Sequence, residues 1–272
     1  MSPHSLPARS AAPRQLLIGF GLLAAAWLAV IGVDMLNLFG AGDSLYDRMI
    51  DRNTTRSWVW VMLFSEGAPI EILQWLTLAL AAGVAFTHYG RLSPIAAAGT
   101  PERRAALFWL LMGIALMLML IEDAGNMRHW MRSTAYHFIG GKSSKYVELT
   151  YFFVLACVPL SALLLFGRSV LSLPRTRLYL LGGFAFYGLA AGGSAFRYDW
   201  YDSIGQWVHH TLLGDSLKIT EVGGHSHYFW LMDFLVEESL EFAGATLLAA
   251  AALHFGFEFS RRRASELAST EP

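Results

Sequence analysis

The stretch DFLVEESLE, Asp233 to Glu241, runs directly into FAGATLLAAAALH, which ends at His254. Four acids therefore open an apolar run long enough to cross a bilayer. A carboxylate at the centre of a membrane helix costs about 2.5–3.5 kcal/mol on insertion scales, so such a group is kept away from lipid. Asp233, Glu237 and Glu241 recur at i, i+4 and i+8 and form one stripe on a regular α-helix, drifting by about 80° over its length. Glu238 sits about 100° from Glu237. The apolar segment around them, residues 228–257, is roughly 45 Å long as a helix, against a hydrocarbon core of about 30 Å. Asp233 is thus expected at headgroup depth. Glu241 is expected inside the hydrocarbon, turned towards other helices or a water-filled cleft.

The rest of the chain has the same character. Of its 272 residues, 55% are hydrophobic and only 15% charged, where a soluble domain carries about 25% charged residues. Apolar runs at 16–39, 58–88, 105–121, 147–166, 178–196 and 228–257 predict an all-α polytopic membrane protein, a bundle of six transmembrane helices in three hairpins. Residues 1–15 read as a disordered cytoplasmic arm, 16–257 as a single transmembrane domain, and 258–272 as a cytoplasmic tail. The first run is too long for the apolar core of a signal peptide, and further spans follow it, so it is expected to be retained. Pro69 and Pro159 fall within spans and predict kinks or restarts. The third span is expected to end in a polar run from Glu122 to His129, with a polar stretch following to Tyr146, and a long loop is expected at 197–227. Polar residues recur where successive spans leave or re-enter the membrane, a hint of an internal three-hairpin repeat.

Charge sets the orientation and the partners. The formal net charge of −1 gives no basic footprint for nucleic acid. Basic residues are 17 Arg and 3 Lys, a balance that fits a bacterial source. Eleven of these 20 lie in the two tails and in the loops at 89–106 and 167–178. The positive-inside rule then places both termini in the cytoplasm of a multi-pass inner-membrane protein. Most acids, and six of the nine histidines, fall on the opposite, outward side. The single cysteine, Cys157, cannot form an internal disulfide.

Three sets of residues carry possible chemistry. The sixth span supplies Glu237, Glu238 and Glu241. The third ends in Glu122 and Asp123, followed by Asn126 and His129; Glu122, Asn126 and His129 share a face if the helix continues through Gly125. The second offers Glu66, Glu71 and Gln74, with Pro69 between the two acids as in the discontinuous helices of ion sites. Crowded carboxylates in low dielectric must be neutralised by a metal, by a cation or by protonation. Arg128 and Arg197 are the candidate counter-ions. The expectation is an outward-facing carboxylate and histidine cluster between spans two, three and six. It would be formed by Glu66, Glu71, Glu122, Asp123, His129, Glu237, Glu238 and Glu241, and would bind a divalent metal such as zinc, iron or manganese.

Metal-assisted hydrolysis of a lipid or envelope substrate is one use of such a site, with Glu122, Glu237 and Glu241 as its catalytic carboxylates. The alternatives are a proton- or cation-coupled transporter, and a non-catalytic subunit whose acids meet a protein partner or a second copy of the chain. Against a simple through-pathway, the runs below the acids (110–121 and 247–253) are almost purely apolar.

His209-His210 and His225-Ser226-His227 resemble fragments of the histidine boxes of fatty-acid desaturases, although the full set of boxes is absent. The ordered Ser, Asp and His motifs of alkaline-ceramidase-like hydrolases are also absent, as are phosphate-binding glycine loops, Gly-x-Ser-x-Gly, Cys-x-x-Cys and His-Glu-x-x-His.

Overall fold

A computed structural model describes residues 10–42, 44, 58–139, 141–215 and 226–268, and among them every regular element is helical. Among the described residues, six helical segments are long and apolar enough to cross a membrane: Ala12–Met35, Val59–Ile95, Pro101–Gly125, Tyr146–Phe166, Pro174–Ala195 and Tyr228–Ser265. The elements are α1 (Ala12–Ala29), α2 (Val59–Phe64), α3 (Pro69–Leu92), α4 (Pro101–Gly125), α5 (Met127–Ile139), α6 (Gly141–Ser161), α7 (Arg168–Leu171), α8 (Pro174–Ala195), α9 (Arg197–Trp207), α10 (His227–Trp230) and α11 (Glu238–Ala268). Four widened π-helical segments interrupt or end them, at Val30–Met35, Ala162–Phe166, Val208–Leu212 and Leu231–Glu237.

Local chemistry explains the breaks. Pro69 restarts the second span as α3, and the side chain of Glu71 accepts a hydrogen bond from the Gly67 amide in the turn before it. Thr100 caps α4 by accepting from the Arg103 amide at 3.2 Å, with Pro101 at the first helical position, where a missing N–H costs nothing. At its other end α4 stops because Asn126 is left-handed (φ 47°), its amide turning back to the carbonyls of Glu122 and Asp123. Asn tolerates that conformation and ends helices there.

Two expectations are corrected at this level. Much of the polar stretch 122–146 is helical, as α5 and the start of α6, and the expected loop after the fifth span begins with α9 and a π-helical turn. The sixth span is not one regular α-helix, because Leu231–Glu237 is π-helical. The simple α-helical phase predicted for Asp233, Glu237 and Glu241 therefore does not hold.

The chain divides into two compact units. The first comprises Met1–Leu17, Trp75–Ala185 and Ala245–Pro272; the second comprises Ile18–Gln74 and Phe186–Gly244.

Small residues let helices approach closely in the first unit. Ala81, Ala82, Ala85, Ala105, Ala249 and Ala252 are all buried, as are Trp109, Phe108 and Phe255. A Cβ on Gly113 would lie 2.8 Å from the Phe86 ring, and one on Gly256 would lie 2.9 Å from the His88 ring. His88 is buried in this aromatic cluster, with its Nε2 2.8 Å from the Ala252 carbonyl. Glu258 accepts from the Thr176 amide (3.1 Å) and hydroxyl (2.9 Å) at the start of α8, a favourable place for an anion. His254 lies 2.9 Å from the Ser10 hydroxyl. Both histidines are buried.

The second unit is built on Val30, Trp58, Trp60, Phe64, Leu231 and Phe242. Asp34 accepts from the amides of Val59 (3.1 Å) and Trp60 (2.8 Å) and so caps α2 from the first span. Trp27 donates its indole N–H to Ser239 at 3.0 Å. Large side chains such as Leu17, Phe153, Leu164 and Leu178 are exposed, as lipid-facing helix surfaces are.

Candidate functional site

The acids of the sixth span are buried in protein. Asp233 is 8% exposed, Glu237 3%, Glu238 6% and Glu241 6%. Three of them meet separate partners within the second unit. Arg197, on the first turn of α9, reaches Asp233 at 3.5 Å. The Tyr201 hydroxyl, one turn further along α9, donates to Glu237 at 2.7 Å. The Gln74 amide donates to Glu241 at 2.8 Å and to the Tyr187 hydroxyl at 3.1 Å. An apolar cavity of about 460 Å³ lies beside this network, lined by Gly188, Gly192, Trp200, Met232 and Leu240, with Tyr201 and Glu237 also in its wall.

The remaining predicted residues are placed as follows. Glu71 is buried against the turn it caps, and Glu66 is exposed. Glu122 and Asp123 fall in the first unit. There Glu122 lies 3.9 Å from Arg128, and Asp123 accepts the Trp75 indole N–H at 3.0 Å. Arg132 forms a 2.8 Å ion pair with fully buried Glu148. The break at Asn126 removes the continuous face expected for Glu122, Asn126 and His129. The side chains of His129 and His227, and the whole of His225, lie outside the described residues.

The metal-capable cluster is elsewhere. Among the described residues, one set of three ligating groups brings its donor atoms within 4.8 Å of one another: His209, His210 and Asp215. It follows the fifth span and does not lie between spans two, three and six. The physical reason for this correction is that each acid with a named partner in the sixth span is turned to a hydrogen-bond donor of its own.

The cluster is assembled locally. Both histidines sit on the π-helical turn Val208–Leu212 that extends α9, a form that recurs at functional sites. The chain then reverses through Gly214 (φ +57°) and Asp215 (φ +58°), with the Asp215 amide bonded to the His209 carbonyl at 3.1 Å. A left-handed aspartate is uncommon, though Asp is among the residues that tolerate it. This reversal carries the Asp215 carboxylate to both imidazoles: 3.0 Å from His209 Nδ1, and against His210 Nδ1. Tyr228 packs on both rings, at centroid distances of 5.7 Å and 5.9 Å. His209 is buried; His210 and Asp215 are open to solvent.

Two imidazoles and a carboxylate match the donor set of catalytic zinc and non-haem iron sites, which hold the metal with three protein ligands and keep a position for water or substrate. Ligands about 2.1 Å from a tetrahedral metal are about 3.4 Å apart; here the three donor atoms lie within 4.8 Å of one another, with Asp215 3.0 Å from His209 Nδ1. Asp215 went unnoticed in sequence although HHTLLGD carries the signal, a histidine pair followed by a Gly-Asp reversal.

Comparison with family models, with curated proteins and with solved structures finds no match. The functional reading therefore rests on the site itself.

Proposed function

We propose that this membrane protein binds a divalent transition metal through His209, His210 and Asp215, and that the centre serves metal-assisted hydrolysis of a lipid or envelope substrate. The observation that carries the reading is the convergence of three donor atoms within 4.8 Å. Zinc, iron and manganese are the candidates, with imidazole favouring the first two. A bound metal would supply Lewis acidity and an activated water. Asp215 and the histidines would hold it, Tyr228 would fix the ring orientations, and the exposed side of His210 and Asp215 would admit substrate.

The test is elemental analysis of the detergent-purified protein beside His209→Ala/His210→Ala, Asp215→Asn and Glu237→Gln/Glu241→Gln variants. About one equivalent of metal per chain is expected in wild type and in the glutamate variant, and little in the other two. Acidification is expected to release it, because protons compete for imidazole. Metal retained by the histidine variant and lost from the glutamate variant would move the site to the acids.

A second reading is favoured by the partners of the acids. Arg197, Tyr201 and Gln74 satisfy Asp233, Glu237 and Glu241 from within the chain, as expected of proton-sharing or cation-handling carboxylates. No metal in any variant, with the fold intact, would leave this as the better account.

A further inference from the structure

The first unit holds a second cavity, of about 340 Å³, at the polar ends of three helical elements. Its walls carry four guanidinium groups, those of Arg104, Arg168, Arg262 and Arg263, and one carboxylate, Glu102. Arg104 stands on the first turn of α4, Arg168 opens α7, and Arg262 and Arg263 lie near the end of α11. We infer that this cavity is a binding site for a phosphate-bearing anion.

Charge is the first argument. Glu102 is engaged by Arg263, 3.8 Å away, and Arg262 donates to the Ser172 hydroxyl at 2.7 Å. Arg104 and Arg168 have no ion-pair partner among the described residues. Two unneutralised guanidinium groups therefore face one concavity. Each presents a planar fork of donors that matches phosphate oxygens. Shape is the second argument. The positive-inside rule asks only that arginines lie in the loops; it does not ask that they wall one hollow. The Ser169 hydroxyl lines the cavity and is buried without a hydrogen-bond partner. A buried hydroxyl left unmatched is costly, and a phosphate oxygen would satisfy it. The N-terminus of α4 at Pro101 adds favourable potential for an anion.

The same chemistry is offered by a lipid phosphate and by a soluble phosphate. Phe259 on the wall, and the position of all three elements at the ends of candidate spans, leave the cavity open to either. The site is independent of the metal reading and stands or falls without it.

The test uses the full chain, delipidated in an uncharged detergent. One arm titrates inorganic phosphate and glycerol phosphate by calorimetry. The other adds phosphatidic acid or phosphatidylglycerol and counts retained lipid by native mass spectrometry. Saturable binding in either arm is expected, and the arm that saturates at the lower concentration identifies the source. Arg104→Gln/Arg168→Gln should weaken it by about tenfold or more, since each charged hydrogen bond contributes substantially. Arg175→Gln/Arg177→Gln removes the same charge outside the cavity and should leave binding unchanged. All four are exposed, so the fold should survive, and unchanged helicity checks that it does. Absence of saturable binding in both arms, equal binding by the cavity variant, or equal loss in the control variant would overturn the proposal.

Discussion

Arg197 is the residue on which the second unit's electrostatics turn. Its side chain is 2% exposed and its partner Asp233 9%. Two opposite charges out of water gain little over an apolar pair, but one left alone is severely penalised. Arg197→Met is therefore expected to destabilise the protein by about 3–5 kcal/mol, read as a fall in thermal or denaturant midpoint in detergent. Arg197→Met/Asp233→Leu should recover most of that loss. If the double variant is as unstable as the single one, Arg197 matters for something other than neutralising Asp233. Tyr201 makes a milder case: Tyr201→Phe removes one hydrogen bond to a carboxylate and should cost about 1.5–3 kcal/mol. Glu237 and Glu241 were legible in sequence as anomalies, since acids rarely sit in apolar runs. Their partners were not, because Tyr201 is 36 residues from Glu237 and Gln74 is 167 from Glu241.

Helix α9 and the turn after it carry the metal-capable cluster, and Gly205 sets their distance from α10. A Cβ at Gly205 would lie 2.2 Å from the Tyr228 carbonyl oxygen, far inside contact distance, so backbone would have to move. Gly205→Ala is expected to push Tyr228 off the imidazoles. It should cost about 1–3 kcal/mol of stability and reduce metal retention, measured by the same elemental analysis. Unchanged metal content in the alanine variant would mean that Tyr228 does not organise the cluster. At this scale the signals in the chain were mixed. Pro69 marked the break before α3, while α5 and α9 were hidden by their polarity, which hydropathy reads as loop, and the reversal at Gly214 went unread. The π-helical turns carry no sequence signature that hydrophobic periodicity can detect.

With six spans, the arginine distribution is expected to put both termini in the cytoplasm. In a Cys157→Ala background, Ser172→Cys and Thr211→Cys, both at exposed positions and separated by the fifth span, should react with an impermeant maleimide from opposite faces. Thr211→Cys should be labelled from outside. Labelling of both from one face would remove a crossing, and the reverse pattern would invert the orientation.

Length and hydropathy alone determined that this is an all-helical, multi-pass protein, because the cost of exposing backbone or charge to hydrocarbon leaves a long apolar segment one conformation to adopt. The same cost made the buried acids of the sixth span stand out. Which groups meet was decided only by the tertiary structure. Asp233, Glu237 and Glu241 are each drawn to a donor on another segment, and His209, His210 and Asp215 converge through a widened turn and a left-handed reversal. Those pairings depend on packing between distant segments and on a few backbone angles, and neither is written in the spacing of residues along the chain.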